Sequence, residues 1–215
     1  MSRIIKDIFI LFAITLVAGL ALGAVFNLTK GARDDQEKKT LNEAYEHVMP
    51  GVDSTEKVKV DLKELNNHIA KEVKAKETEL DYKSYNKYKA NITEVLKAKD
   101  KDKKDLGYII TVTDEEAYNG SITMTVGVDM NGSVKGISFL DINETPGLGM
   151  KAKEDEFLKQ YYGKDVEFFT YVKENAEDKS EVDAISSATI TSNAVTHGVD
   201  ACLIAANHLG GESHE

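Results

Sequence analysis

The residues best suited to chemistry lie in a run of small and hydroxyl-bearing side chains over residues 186–192. Apolar residues then recur at helical spacing and predict a helix over residues 192–209. Thr189 therefore precedes a helix N-terminus, where unpaired backbone N–H groups and the helix dipole favour an anion such as phosphate. A plain N-cap formed by Thr191 or Ser192 fits the same residues. The residue types alone leave both interpretations open.

A second loop carries the same kind of signal. The run Asn-Glu-Thr-Pro-Gly-Leu-Gly over residues 143–149 follows an apolar strand-like segment and precedes a helix predicted over Lys151–Tyr162. Pro146 sets a turn, while Gly147 and Gly149 permit unusual backbone angles and close approach to a flat ligand. Taken alone, such a turn is more often an ordinary loop than a binding site.

The two loops together resemble the FMN-binding domain family. Its usual motif is Asp-x-x-Ser/Thr-Gly-Ala-Thr, preceded by a Glu-Thr-Pro-Gly-Leu-Gly run beside the flavin. Residues 183–189 read Asp-Ala-Ile-Ser-Ser-Ala-Thr. In the family, a flavin transferase attaches FMN to the last threonine through a phosphodiester, so the resemblance implies that Thr189 is the acceptor. Ser187 stands where the family has glycine, which tolerates a positive φ better than serine does.

The resemblance also implies which residues surround the FMN. The candidate contacts come from both loops: Ser186, Ser187, Ala188, Thr191, Glu144, Thr145, Gly147 and Leu148. Asp183 is expected to serve the transferase or the loop geometry, and a simple cap is the alternative. For Glu144, an ordinary surface acid is the alternative.

The family includes the G subunit of the Rnf electron-transport complex and the C subunit of the sodium-pumping NADH:quinone reductase. The chain resembles the Rnf member most closely in length and sequence. This implies an electron-relay subunit of an ion-translocating ferredoxin:NAD oxidoreductase, with no independent catalysis, and with other membrane subunits and a flavin transferase as partners. The alternatives are the quinone-reductase member, a non-redox anchored binding or assembly module, and a flavin reductase that acts alone.

An apolar segment near the N-terminus predicts a membrane anchor. Residues 8–28 hold no charged side chain and would span roughly 30 Å as a helix. Basic residues flank both ends, so charge does not fix the orientation. The short N-terminal flank and the acidic body favour an N-terminus in the cytoplasm and a flavin domain outside it. A signal peptide cleaved near Ala21-x-x-Ala24 is the alternative, but the apolar run is longer than a signal sequence usually has.

Composition narrows the range of functions further. The chain has 37 Asp and Glu against 27 Lys and Arg, a net charge of −10, which disfavours nucleic-acid binding. A single cysteine, Cys202, excludes an internal disulfide and a cysteine-ligated iron–sulfur cluster. It lies on the apolar stripe of the last helix and is expected to be buried. The histidines lack metal-binding spacing; His197 is expected to pack or lie at the surface, with an approach to the flavin loop as the alternative.

Strand-like alternation predicts an α+β domain with an antiparallel sheet and packed helices, preceded by the membrane helix. The boundaries that we expect are 1–30 for the anchor, 31–90 for a stalk and the start of the extracytoplasmic domain, and 91–215 for the FMN-binding domain. The predicted strands cover residues 92–98, 106–112, 121–128, 134–142 and 166–172, and a further one is suggested at 57–62. Helices are predicted at 34–48 and 64–76.

Overall fold

The computed structural model describes residues 2–80 and 88–212, and it divides the chain into two compact units, Met1–Glu43 and Ala44–Glu215. Helix α1 occupies Ser2–Val48, so the anchor and the predicted 34–48 helix are one continuous helix. Within it, Ile5–Gly31 is long and apolar enough to cross a membrane. The domain boundaries at residues 30 and 90 stay predictions.

The second unit is built on a five-stranded antiparallel sheet whose strands follow one another in chain order. This confirms the predicted α+β class and the meander. The strands are β1 (Ser54–Lys57), β2 (Ala90–Lys99), β3 (Asp105–Ala117), β4 (Gly120–Asp129) and β5 (Val134–Ile142). Tight turns join β2 to β3, β3 to β4 and β4 to β5, so each strand pairs with its sequence neighbour.

Helices and a small second sheet complete the unit. Their bounds are α2 (Leu62–Glu79), a 3-10 helix (Gly149–Lys153), α3 (Asp155–Leu158), the parallel pair β6 (Thr170–Val172) and β7 (Glu181–Asp183), and α4 (Thr189–Glu212). The α2 helix begins where Asp61 caps it, because the Asp61 carboxylate accepts hydrogen bonds from the Lys63 and Glu64 N–H groups.

The sheet has a core on each face. The α2 and α4 helices cover one face and bury apolar side chains of the central strands, including Val112 and Met124, against residues such as Leu203. On the other face, the chain segment at Val48 and Met49 packs on Leu96, Ala98 and Ile109. The central strands are therefore buried on both faces, and α4 packs directly on one of these faces.

Four predicted elements differ from the structure in their bounds or continuity. The strand suggested at 57–62 lies instead at Ser54–Lys57, because Asp61 already caps α2. Of the strand predicted at 166–172, only β6 forms, since Phe168 and Phe169 are buried in the core and the Phe169 N–H donates to the Asp200 side chain.

The predicted helix at Lys151–Tyr162 is two short pieces. Glu154 has an extended backbone, with φ −77° and ψ 140°, and this separates the 3-10 helix from α3. The last helix is longer than predicted: it begins at Thr189 instead of Ser192 and ends at Glu212. Its start decides the geometry of the hydroxyl-rich loop.

Gly127 on β4 tests the packing on the second face. A Cβ at this position would lie 2.0 Å from the Val48 carbonyl oxygen, which belongs to the backbone and cannot turn away. We expect Gly127→Ala to destabilise the fold by about 1–3 kcal/mol, the usual cost of overpacking. Thermal unfolding of the detergent-solubilised full chain, followed by circular dichroism, measures the change.

Gly210 provides the matched control, because it lies in α4 and a Cβ there meets nothing within 4 Å. Gly210→Ala should keep or slightly raise the melting temperature, since alanine favours a helix by up to about 1 kcal/mol. Equal melting temperatures for the two variants would contradict the packing on this face.

Candidate functional site

The hydroxyl-rich loop is tied to the first turn of α4 by the Ser192 side chain. The Ser192 hydroxyl accepts a hydrogen bond from the Ile185 N–H at 2.9 Å and donates to the Ala188 carbonyl at 3.0 Å. Ser192 is therefore inside the helix and bonds the preceding loop, whereas the sequence suggested an N-cap. Thr191 is also within the helix and is only 1% exposed.

Free backbone donors remain at the start of α4. The first intrahelical bond runs from the Ser192 N–H to the Ala188 carbonyl at 3.0 Å. The N–H groups of Thr189, Ile190 and Thr191 precede that bond, so helix geometry gives them no partner within α4. Together with the helix dipole they form an anion-binding end, and the partly exposed Thr189 is its first residue.

Ser187 has a backbone that serine rarely adopts. Its φ is +63°, in the left-handed region, which brings the chain sharply from residue 186 into α4. Glycine enters this region freely, while other residues lose about 1 kcal/mol there. The loop therefore has the backbone that the glycine of the family motif would adopt most easily, although serine occupies this position.

The 143–149 loop packs tightly against this helix start. Glu144 is 5% exposed and its Oε1 accepts a hydrogen bond from the Asn119 N–H at 3.1 Å. A Cβ on Gly149 would lie 2.6 Å from Glu144 Oε2 and 2.7 Å from Thr191 Oγ1. Only glycine permits this approach. Gly147 has φ +75° and forms the turn.

A cavity of about 400 Å³ lies between the two loops, within the size range of small-molecule sites. Its lining includes seven of the predicted residues: Glu144, Thr145, Leu148, Ser187, Ala188, Thr189 and Thr191. Tyr118, Gly149 and Ile190 also line it. Leu148 is 41% exposed and Tyr118 is 68% exposed, so an apolar and an aromatic side chain flank the opening.

Two predicted contacts are not in that lining. Gly147 shapes the turn without lining the cavity, and Ser186 lines a neighbouring cavity together with Asp183 and Gln160. The side chain of Asp183 accepts a hydrogen bond from the Ala176 N–H at 2.9 Å, while its backbone bonds Gln160 in both directions. Asp183 therefore holds the loop that leads into the motif.

Tyr118 lines the cavity although no sequence motif singled it out. It lies in the tight turn between β3 and β4, where Ala117 pairs with Gly120. A tyrosine next to Asn-Gly, between two alternating segments, is the signal that could have found it. The Asn119 side chain donates to the Asn143 carbonyl at 2.7 Å, which joins this turn to the second loop.

Two other residues considered from the sequence lie inside the core. His197 is fully buried on α4 and does not line the cavity. Cys202 is fully buried as predicted, and burial raises the pKa of its thiol well above the usual range. Neither is available to a ligand in the cavity.

This arrangement suits a ligand with a flat ring and an anionic tail. The open helix end provides N–H donors for the anion, the half-buried Thr189 hydroxyl is a candidate point of attachment, and the cavity provides apolar surface for the ring. Among the residues that the structure describes, no group of His, Cys, Asp and Glu has an arrangement suited to a metal ion.

Comparison with known proteins gives consistent matches. A model of the FMN-binding domain matches residues 117–204. The G subunit of the Na(+)-translocating ferredoxin:NAD(+) oxidoreductase complex of Acetobacterium woodii is 31% identical over 194 residues, which cover 89% of this chain and 86% of that protein.

The G subunit of the proton-translocating ferredoxin:NAD(+) oxidoreductase complex of Clostridium ljungdahlii is 38% identical over 102 residues, or 47% of this chain and 54% of that protein. The matched region thus spans about half the length of that relative. The crystal structure of Shewanella oneidensis NqrC is 21% identical, with a TM-score of 0.46, and the match covers 60% of this chain and 64% of that one.

Ser187 provides a test of the loop geometry. Ser187→Gly should raise the melting temperature or leave it unchanged, because removing the left-handed cost of about 1 kcal/mol offsets the added freedom of the unfolded chain. Ser186→Gly is the matched control: Ser186 is not among the described residues with positive φ, so glycine should only destabilise there. A larger loss of stability for Ser187→Gly than for Ser186→Gly would contradict the observed backbone.

Proposed function

Because this chain belongs to the family of the G subunits of ion-translocating ferredoxin:NAD(+) oxidoreductase complexes, we propose that it carries FMN covalently on Thr189 and relays electrons within such a complex. The observation that carries the proposal is the convergence of three features on one cavity. These are the Thr189 hydroxyl, the open first turn of α4, and the Glu144–Gly149 loop. The FMN-binding domain match covers all three.

The phosphate end of the proposed site lies at the start of α4. A phosphodiester on the Thr189 hydroxyl is next to the N–H groups of Ile190 and Thr191, which precede the first intrahelical bond. The positive end of the helix dipole lowers the energy of the phosphate charge there. The site therefore holds the anion without a lysine or arginine in the cavity lining.

The ring end of the proposed site lies between the two loops. Leu148 and Tyr118 present apolar and aromatic surface to one flat group. Buried Glu144 holds the Tyr118 turn through the Asn119 N–H, so it positions the ring contacts. FMN would supply the redox chemistry, and the protein would supply binding, orientation and local electrostatics.

A covalent link fits a protein that faces an open compartment, because it prevents loss of the cofactor. We propose that α1 crosses the membrane once, with the N-terminus in the cytoplasm and the flavin domain on the opposite side. The proposed partners are the other membrane subunits of the complex, together with a flavin transferase during maturation. We assign the chain no independent catalysis.

Mass spectrometry tests the attachment site. The full chain is co-expressed with a flavin transferase, and its intact mass and in-gel flavin fluorescence are measured. We expect one FMN-phosphoryl adduct in the wild type and none in Thr189→Ala, because the acceptor oxygen is absent. Ser186→Ala is the matched control: it removes a hydroxyl from the same loop, but Ser186 lies outside the cavity, so the adduct should remain.

Two outcomes would count against the proposal. An unmodified wild-type chain, in cells where the transferase modifies a known substrate, would favour a non-redox anchored module. An adduct that persists in Thr189→Ala would place the attachment on another residue.

Labelling in intact cells tests the orientation. Cys202 is fully buried, so an impermeant thiol reagent should not label the native chain. A cysteine replacing exposed Lys101 in the β2–β3 turn should be labelled from outside. A cysteine replacing Ser2 should be labelled only after lysis. The reverse pattern would place the flavin domain in the cytoplasm.

A further inference from the structure

A group of polar side chains lies in the interior, away from the cavity lining. It consists of Glu77 on α2, Tyr88 just before β2, Asp114 on β3, and His197 and Asp200 on α4. His197 and Asp200 are fully buried, and Asp114 is 1% exposed. We call these five residues the buried polar cluster. The cavity lining contains none of them.

The contacts between these residues bring four chain segments together. His197 Nε2 lies 3.5 Å from Glu77 Oε1, and the Tyr88 ring meets the His197 ring edge to face, with centroids 5.3 Å apart. Asp114 interacts electrostatically with both His197 and Tyr88. Asp200 interacts with Glu77 and Tyr88.

The cluster contains buried polar atoms that make no hydrogen bond to a described residue, although His197 Nε2 and Glu77 Oε1 lie 3.5 Å apart. They are Glu77 Oε1, Tyr88 Oη, Asp114 Oδ2, Asp200 Oδ2 and both ring nitrogens of His197. Burying such atoms without partners costs free energy, so proteins keep them where they bind water, an ion or a proton. The described residues show no metal-binding arrangement. Water or a proton would satisfy these atoms.

Two acids of the cluster, Asp114 and Asp200, are each held through one carboxylate oxygen. Asp114 Oδ1 accepts a hydrogen bond from the Glu116 N–H, and Asp200 Oδ1 accepts one from the Phe169 N–H, both at 2.7 Å. Their free oxygens therefore cannot turn to solvent. The cluster holds three carboxyl groups and one imidazole, and this excess of acid favours binding of at least one proton.

Burial has the largest effect on the pKa of the acids in the cluster. Burial, with smaller contributions from the Glu116 and Glu115 charges, raises the pKa of Asp114 to about 6, while the hydrogen bond from the Glu116 N–H and the nearby His197 oppose the rise. Lys89 pairs with Glu116 at the edge of this region. Burial also raises the pKa of Asp200 well above its usual range.

The two weaker acids of this region stay neutral. Burial raises the pKa of the Tyr88 hydroxyl and of the neighbouring Cys202 thiol, so both keep their protons. Asp114, with a pKa of about 6, is therefore the carboxyl group through which we expect the cluster to change its charge.

The cluster has a route to solvent and lies close to the candidate flavin site. The Glu77 side chain is 24% exposed, so protons can enter from the end of α2. Along α4, the eight residues from Thr189 to His197 span about 12 Å at the rise of an α-helix. On β3, Asp114 lies four residues before Tyr118, which lines the cavity. Two rigid elements therefore join the cluster to the cavity.

We propose that the buried polar cluster is a proton-binding site whose occupancy rises when the flavin is reduced. The proposal rests on the proposed function, since it requires FMN at Thr189. An electron on the flavin adds one negative charge in the cavity, and a proton on the cluster adds one positive charge nearby. Salt does not screen the attraction between these two charges, because it acts through the protein interior. An electrode, or a one-electron carrier of the complex, supplies the electron. Solvent supplies the proton through Glu77.

Spectroelectrochemistry of the FMN-loaded full chain tests this coupling. The slope of the flavin midpoint potential against pH reports protons taken up per electron. We expect a steeper slope near pH 6 in the wild type than in Asp114→Asn, which keeps the acceptor for the Glu116 N–H but cannot bind the proton. The two slopes should converge at about pH 8, because Asp114 is then ionised in both redox states.

Asp141→Asn is the matched control, because Asp141 is an exposed carboxylate on the edge strand β5. It should follow the wild type at every pH. Glu77→Gln should lower the slope near pH 6, because it removes one carboxyl group of the cluster. His197→Gln should instead move the steep region to higher pH, because His197 opposes the rise in the pKa of Asp114. If the other variants unfold, Glu77→Gln at the exposed end of the cluster still tests whether the cluster binds the proton. Wild-type slopes in all folded variants would overturn the proposal.

Failure of the proposed function is separately visible, because a wild type without FMN gives no flavin signal at all. Stability of the FMN-free chain gives a second readout. The raised pKa of Asp114 means that its contribution to stability is full below pH about 4 and declines as pH rises through about 6. Asp114→Asn should remove that decline. An unchanged pH profile of the melting temperature would also count against the proton site.

Discussion

The close approach of α4 to the sheet is the constraint on which the rest of the structure depends. A Cβ on Gly198 would lie 2.2 Å from Met124 Cε and 3.3 Å from Val112 Cγ1. Glycine at this point lets α4 lie directly on β3 and β4, with Val195, Val199 and Leu203 fully buried. Because the helix is rigid, this contact also fixes its first residue, Thr189, where the β3–β4 turn and the 143–149 loop meet.

A helix buried so deeply would ordinarily be apolar, yet the inward residues of α4 include several polar ones. Thr196 bonds the Tyr161 hydroxyl at 2.8 Å and Asp200 bonds the Phe169 N–H, so these polar groups attach the irregular 150–170 segment to the helix. That segment has little regular secondary structure of its own. Side-chain hydrogen bonds to α4 replace the strand pairing that its apolar sequence suggested. The same burial creates the buried polar cluster behind the cavity.

Local sequence signals predicted most of the sheet. Alternation placed the central strands, and Asn131-Gly132 marked the β4–β5 turn, because those signals report burial and turn geometry within a few residues. The errors came where distant contacts overrode local preference. Phe168 and Phe169 resemble a strand but are taken up by the core, and Glu154 interrupts a segment whose pattern is helical throughout.

The sequence by itself determined the apolar helix, the antiparallel meander and the two loops with their threonine and glycines, since each is a pattern within one segment. It also pointed to Cys202 as a buried residue through its place on one helix stripe. Only the tertiary structure decided that Tyr118 joins the cavity while Ser186 and Gly147 do not, and that Ser192 bonds backwards to the loop. It alone brought Glu77, Tyr88, Asp114 and His197 together, because these residues are distant in the chain and meet only when α2 and α4 pack on the same face of the sheet.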